Sequence, residues 1–202
     1  MKKIVIFASG SGSNAEKIIL HFNKKKNVNV VGVLTNNPNA KVIEKAKKYN
    51  VPAIVFSKEE LNEGKVADLV NQMQPDLIVL AGFLIKFPDQ IIHQYPNKII
   101  NIHPALLPKY GGKGMYGMRV HQTILDNNEK ETGITIHFVN EHYDEGGIIF
   151  QKQINIEDCK IPEEIAKKVQ QLEHEHFPEV IERLLDGLIV RYFENSNNPK
   201  IE

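Results

Sequence analysis

The sequence predicts an α/β fold: a Rossmann-like, doubly wound, mostly parallel sheet with helices on both faces and an antiparallel strand pair toward the C-terminus. Three observations predict it. Continuous apolar segments rich in β-branched residues recur at 4–8, 28–34 and 77–80, the pattern of strands buried on both faces. Helical periodicity separates them, clearest in Ala15, Ile18, Ile19 and Phe22 at i, i+3, i+4 and i+7. A glycine-serine loop, Ser9-Gly10-Ser11-Gly12-Ser13-Asn14, joins the first strand to the first helix. In such sheets ligands bind beyond the carboxyl ends of the strands.

The elements follow in order. Residues 4–8 form a buried strand, and the Ala15–Phe22 stripe the core face of a helix. Lys24, Lys25 and Lys26 suit the last turn of that helix, where cations meet the negative end of its dipole. Residues 28–34 make the second strand, 39–49 a short helix rich in Ala and Lys, and 51–56 a strand-like segment. Ser57 with Glu60 is a capping-box signature for a helix running to about Gln74. Pro75-Asp76 opens the strand at 77–80, and 98–101 is another strand. Residues 132–139 alternate, which predicts a half-exposed strand. Residues 146–154 return after a loop and so pair with it antiparallel. Pro162, with Glu163 and Glu164 behind it, starts a long helix with the stripe Ile165, Val169, Leu172. Pro178 is expected to kink or end that helix, leaving a second helical stretch at 180–185 before Gly187. Residues 194–202 read as a polar tail.

Composition narrows the function classes. The 202 residues suffice for one domain with a sizeable core. Lys plus Arg and Asp plus Glu number 25 each, so no global field attracts nucleic acid. One cysteine, Cys159, excludes an internal disulfide framework and a multi-cysteine zinc site. The longest apolar run, 77–85, is far short of the roughly 20 residues a bilayer span needs. The five-residue apolar segment near the N-terminus is too short for a signal peptide. The expectation is a cytoplasmic protein with no nucleic-acid or membrane partner. His174 and His176 stand two apart on a helix and diverge. His137, beside Phe138 in an alternating strand, reads as a core histidine. No metal is expected.

Three segments carry chemistry. Asn101 and His103 stand two apart at a strand's carboxyl end and point the same way, and Pro104 stops the strand behind them. An amide that donates to a developing oxyanion beside an imidazole that moves a proton is a minimal kit for acyl transfer. The bland alternative is a structural pair bonded to a loop. Gly10, Gly12 and Ala15 match the G-x-G-x-x-G/A spacing of dinucleotide folds, but Thr35-Asn36-Asn37-Pro38 supplies no acid for a ribose. Three serines plus Asn14 beside the free amides of a helix N-terminus suit a terminal phosphate instead. The competing reading is a helix cap made by Ser13 and Glu16. Third, the acidic loop Asn140-Glu141-His142-Tyr143-Asp144-Glu145 lies between two strands. It is either an ordinary turn or the source of a carboxylate that raises the pKa of His103.

These segments occur in a telling order: the S-G-x-G-S-N loop, Ala81-Gly82-Phe83-Leu84, Asn101-Ile102-His103-Pro104 with Leu107-Pro108, His137-Phe138-Val139 with Asp144 beyond it, and Gln170 with Glu173-His174. In them the chain resembles the folate-dependent formyltransferase family. The glycine-serine loop and the short length narrow the resemblance to its phosphoribosylglycinamide branch. The resemblance implies that 10-formyltetrahydrofolate is the co-substrate and glycinamide ribonucleotide the acceptor. It implies Asn101, His103 and Asp144 as catalytic residues, and Gly12, Ser13 and Asn14 as phosphate binders. Glu173 and Gln170 would meet the substrate amine. Phe83, Leu84, Ile85, Phe87, Asn140, Glu141 and Tyr143 would hold the folate. The single domain would divide into a phosphate-binding half (1–101), a folate and catalytic half (102–193) and the tail, working as a monomer or homodimer. Three departures stand out. The glycine-rich stretch 111–120 is long and reads as a mobile lid, Arg119 stands where a histidine is common, and Ile85-Lys86 replaces an arginine-containing pair. The rival readings are a formyltransferase acting on aminoacylated tRNA, a formyl-tetrahydrofolate hydrolase, and a non-catalytic phosphosugar or nucleotide binder. The first wants a further domain and a basic face; the second has no need of the phosphate loop.

Overall fold

A computed structural model describes residues 1–187 of the chain. The expected tail at 194–202 lies outside the described residues. Seven strands form one sheet in the order β3-β2-β1-β4-β5-β6-β7. The strands β1 (Lys2–Phe7), β2 (Val28–Thr35), β3 (Ala53–Val55), β4 (Leu77–Leu80) and β5 (Ile99–His103) run parallel. The strands β6 (Glu131–Phe138) and β7 (Ile148–Asn155) complete the sheet. Both the β5–β6 and β6–β7 pairs are antiparallel, so the expected antiparallel region reaches one strand further inward.

The period of two in β1 divides the core. Ile4 and Ile6 enter one apolar layer, with α1 (Ser13–Phe22), α2 (Val42–Lys48), α6 (Met118–Asp126) and α7 (Pro162–Leu185). Val5 and Phe7 enter the other, with α3 (Lys58–Asn62), α4 (Lys65–Met73) and α5 (Asp89–Gln94). All four residues of the α1 stripe are buried, as are Ile165, Val169 and Leu172 of α7. From β1 the chain winds outward through β2 and β3, then returns to β4 on the other side. The loops after β1 and β4 therefore part at the sheet's switch point and open a crevice between them.

Several expectations are corrected. The helix begun by the Ser57–Glu60 capping box is present but stops at Asn62, and a separate α4 starts beyond Gly64. The strand β6 is buried along most of its length rather than half-exposed, because it lies inside the sheet between β5 and β7. The helix α7 runs unbroken through Pro178. Phe177, Val180 and Ile181 pack into the core around it and offset the one lost backbone bond. The three lysines 24–26 follow the end of α1 instead of closing it, and Lys25 pairs with Glu182 of α7. The helices α5 and α6 have no counterpart in the sequence reading, and the C-terminal end of the expected 111–120 lid is already helix α6. Among the described residues no helix is long and apolar enough to cross a membrane.

Candidate active site

One cavity of about 690 Å³ lies along the carboxyl ends of β1, β4 and β5, within the size range of small-molecule sites. All fifteen side chains or backbones nominated from the sequence line it, from Gly12 through Glu173.

Its first wall is the β1–α1 loop. Gly12 caps α1 with a left-handed backbone, φ 66°. A side chain there would run into Val42, whose Cα is 2.8 Å from the Cβ position, so glycine is required on both counts. The competing capping-box reading fails. Neither Ser13 nor any other side chain caps the helix, and Glu16 is engaged with Lys45 and Tyr49 instead. The first amides of α1 are left without a side-chain acceptor, at the positive end of the dipole. The helix α7 reaches this loop twice. Gln170 Nε2 donates to Ser13 Oγ at 3.2 Å, and Asn14 Nδ2 donates to Glu173 Oε2 at 2.8 Å. Burial pushes the Glu173 carboxyl up to about 7, against the pull of the Asn14 donor. A charge on the core stripe of α7 is thus explained by the cleft it faces.

The second wall is assembled from distant segments. β5 ends at His103, and Pro104 turns the chain away. Thr135 Oγ1 of β6 holds that turn, donating to Ala105 O at 2.7 Å and accepting from Leu107 N at 3.0 Å. His103 Nδ1 lies 3.5 Å from Asp144 Oδ2. Its Nε2 is 2.7 Å from the Tyr110 carbonyl. A carbonyl only accepts, so Nε2 carries a proton and donates it. Gly112 N–H donates to the same Asp144 oxygen at 2.9 Å.

His137 is the residue the sequence reading placed elsewhere. It is buried, as a core histidine would be, yet it belongs to the site. Its Nδ1 donates to the Phe138 carbonyl at 2.8 Å. In the neutral ring Nε2 must then accept, and Asn101 Nδ2 donates to it at 3.1 Å. Asp144 Oδ1 stands further off, at 3.6 Å. His137 thereby fixes which way the Asn101 amide faces and leaves it one N–H. Pairing in the sheet, Asn101 opposite His137, was the signal, visible only once β6 is known to be the antiparallel neighbour of β5.

Burial holds the His103 imidazole below its ordinary value; Asp144 does raise its pKa, as the carboxylate reading of the 140–145 loop has it, but by less than burial lowers it. Burial pushes the Asp144 carboxyl up, yet the attraction of the two imidazoles in their charged forms and the Gly112 N–H outweigh burial and hold it below its usual range. His103 is therefore neutral and Asp144 ionised near pH 7. His121 of α6 also lines the cavity, and burial lowers its pKa to about 4.

The third wall is apolar. Phe83 and Phe87 stack edge to face with Phe7, their centroids 5.4 and 5.0 Å from it, so Phe87 acts as backing rather than surface. Leu84 is 48% exposed and Tyr143 43% exposed at the mouth. Asn140 Oδ1 accepts from His142 N and shapes the loop. Glu141 turns outward to pair with His93 of α5. Among the described residues no group of three or more His, Cys, Asp or Glu is arranged to hold a metal ion.

The glycine-serine loop and an amide–imidazole–carboxylate set share one rim of the cavity, an arrangement suited to group transfer. The chain matches the formyl transferase family over residues 2–181, and belongs to that family. Among its relatives, phosphoribosylglycinamide formyltransferase of Arabidopsis thaliana (chloroplastic) is 36% identical, over 98% of this chain and 72% of the relative. That of Bacillus subtilis is 35% identical, over 92% and 95%. The crystal structure of phosphoribosylglycinamide formyltransferase from Bacillus halodurans superposes with a TM-score of 0.82 at 34% identity, over 91% of this chain and 95% of that one.

Proposed function

We propose that this chain transfers the formyl group of 10-formyltetrahydrofolate to the glycyl amine of glycinamide ribonucleotide, a step of purine synthesis carried out in the cytoplasm by a monomer or homodimer. The observation that supports it most is the meeting of Asn101, His103 and Asp144 in the same cavity as the glycine-serine loop. The amides of Gly12, Ser13 and Asn14 hold the substrate phosphate at the N-terminus of α1. Gln170 and Glu173 face the same ligand from α7 and steer its amine. Asn14 takes Glu173 Oε2 and leaves Oε1 for the substrate. The folate fits the apolar wall. Leu84 and Tyr143 are large, exposed and adjacent to Phe83 and Ile85, a surface that a flat ring system covers, with Asn140 and Glu141 bordering it and Phe87 behind.

The protein's part in the reaction follows from its protons. As the amine adds to the formyl carbon, a C–N bond forms and charge gathers on the formyl oxygen. Asn101 donates its remaining N–H there, a contact worth about 10²–10³ in rate in comparable sites. His103 Nδ1 is bare and takes the proton that the amine must lose. Asp144 stabilises the imidazolium so formed. His103 then returns a proton to N10 as the carbon–N10 bond breaks, leaving the formamide and tetrahydrofolate.

Absorbance at the folate chromophore tests the reading. Deformylation that depends on added glycinamide ribonucleotide is the expected result. Deformylation of equal rate without it would make the chain a hydrolase, and none under either condition would make it a binder.

A further inference from the structure

His103 is held from behind by a segment that no step of the reaction uses. Tyr110 sits with φ 58°, a left-handed backbone that suits glycine better than tyrosine. That twist turns its carbonyl back onto His103 Nε2 at 2.7 Å. The tyrosine side chain is anchored on the far side. Its hydroxyl donates to Glu129 Oε1 at 2.8 Å, and Lys109 Nζ donates to the same oxygen at 3.1 Å. The ring packs against the core between these two ends. The next two residues finish the brace. At Gly111 an added Cβ would lie 3.2 Å from the Cβ of Asp144, and Gly112 N–H binds the Asp144 carboxylate. One short stretch of backbone thus grips both the imidazole and its carboxylate.

We propose that Tyr110 and Glu129 are positioning residues that lock the proton of neutral His103 on Nε2, so that Nδ1, facing Asp144, is the only nitrogen able to exchange a proton with substrate. The inference deepens the reading of the site as a formyl-transfer centre and rests on it for its kinetic part. The locked tautomer sets a bare nitrogen against a carboxylate, an arrangement unfavourable at rest and relieved when a proton arrives. With the brace loosened, the ring can take the alternative tautomer, Nδ1–H donating to Asp144. That tautomer is comfortable and idle, because its bare nitrogen faces the protein. The groups around His103 are Asp144 and His137 beside it and His121 of α6, whose pKa His103 also affects. None of them fixes Nε2. That falls to the Tyr110 carbonyl.

Long-range ¹H–¹⁵N spectra of the histidine rings, recorded on the intact resting protein, read the tautomer directly, and steady-state kinetics read its consequence. The wild type is expected to show His103 as the Nε2–H form. In Glu129→Leu and in Tyr110→Phe the Nδ1–H form should appear, and kcat should fall about tenfold with KM for both substrates unchanged. In Glu129→Gln, whose amide oxygen still accepts from the tyrosine hydroxyl, both readouts should return toward wild type. If Tyr110→Phe fails to fold, the Glu129 pair at the surface carries the test. A wild-type spectrum with the proton on Nδ1, or a Glu129→Leu protein with wild-type tautomer and kcat, would overturn the inference. The spectra need no substrate, so a wild type that moves no formyl group would refute the proposed reaction while leaving the tautomer result standing.

Discussion

The two working walls of the cavity are built by opposite means. The proposed phosphate cradle is six consecutive residues, and what it offers a ligand is backbone. Its side chains are secondary, held by α7 through Ser13–Gln170 and Asn14–Glu173. The proposed catalytic wall offers side chains alone, drawn from β5, β6 and the loop beyond it, and each is oriented by a partner outside the motif that names it. His137 orients Asn101, the Tyr110 carbonyl orients His103, and Gly112 orients Asp144. A cradle of backbone tolerates side-chain change unless a charge or a Cβ intrudes. An assembly of side chains fails when any member is truncated.

Substitution should expose that contrast. Asn101→Ala removes the oxyanion donor and is expected to lower kcat by about 10²–10³ with little change in KM for the ribonucleotide. Steady-state kinetics with both substrates varied would check it, and a normal kcat would remove the amide from the mechanism. Asp144→Asn keeps the shape and removes the charge. It should lower kcat by about tenfold or more. On the other wall Ser13→Asp should spare kcat and raise KM for the phosphorylated substrate by about tenfold, with the folate KM scarcely altered.

A further effect concerns stability. Burial pushes the Glu173 carboxyl from 4.5 up to about 7. The folded chain therefore keeps a proton through a range where the unfolded chain has lost it. The stability linked to that proton is complete below pH 4.5 and lost as pH rises through about 7. Glu173→Gln should accordingly be more stable to unfolding than the wild type at pH 8, by about 1–3 kcal/mol in denaturant titration, with the gain vanishing near pH 4.5. The same variant should bind the ribonucleotide less well. A gain independent of pH would mean that the carboxyl is not burdened by burial.

The same contrast explains what the sequence could disclose. The strands of the parallel half were legible because strands buried on both faces are apolar throughout, and the α1 stripe because every member of it meets the core. The glycine-serine loop between β1 and α1 was legible as a contiguous pattern. That a ligand site lies beyond the carboxyl ends of the strands followed from alternation alone, while the switch point needed the strand order. His137 was legible as a buried histidine but not as the partner of Asn101, because its neighbours in sequence describe a core strand while that bond comes from across the sheet. Tyr110 and Glu129 were silent because a left-handed backbone at a tyrosine leaves no mark in composition. The depression of the His103 pKa was missed because a motif shows partners and not depth. The short helices α5 and α6 were missed because Gly114, Gly117 and Pro88 around their starts read as loop.

The claim on which all of this depends is spatial. A crystal structure with glycinamide ribonucleotide and a 10-formyltetrahydrofolate analogue unable to transfer its one-carbon unit would test it most directly. The phosphate is expected on the amides of Gly12, Ser13 and Asn14, and the one-carbon oxygen within hydrogen-bond reach of Asn101 Nδ2, with His103 Nδ1 and Asp144 beside the attacking amine. A phosphate bound elsewhere, or a one-carbon unit out of reach of Asn101 with Asp144 turned to solvent, would contradict it.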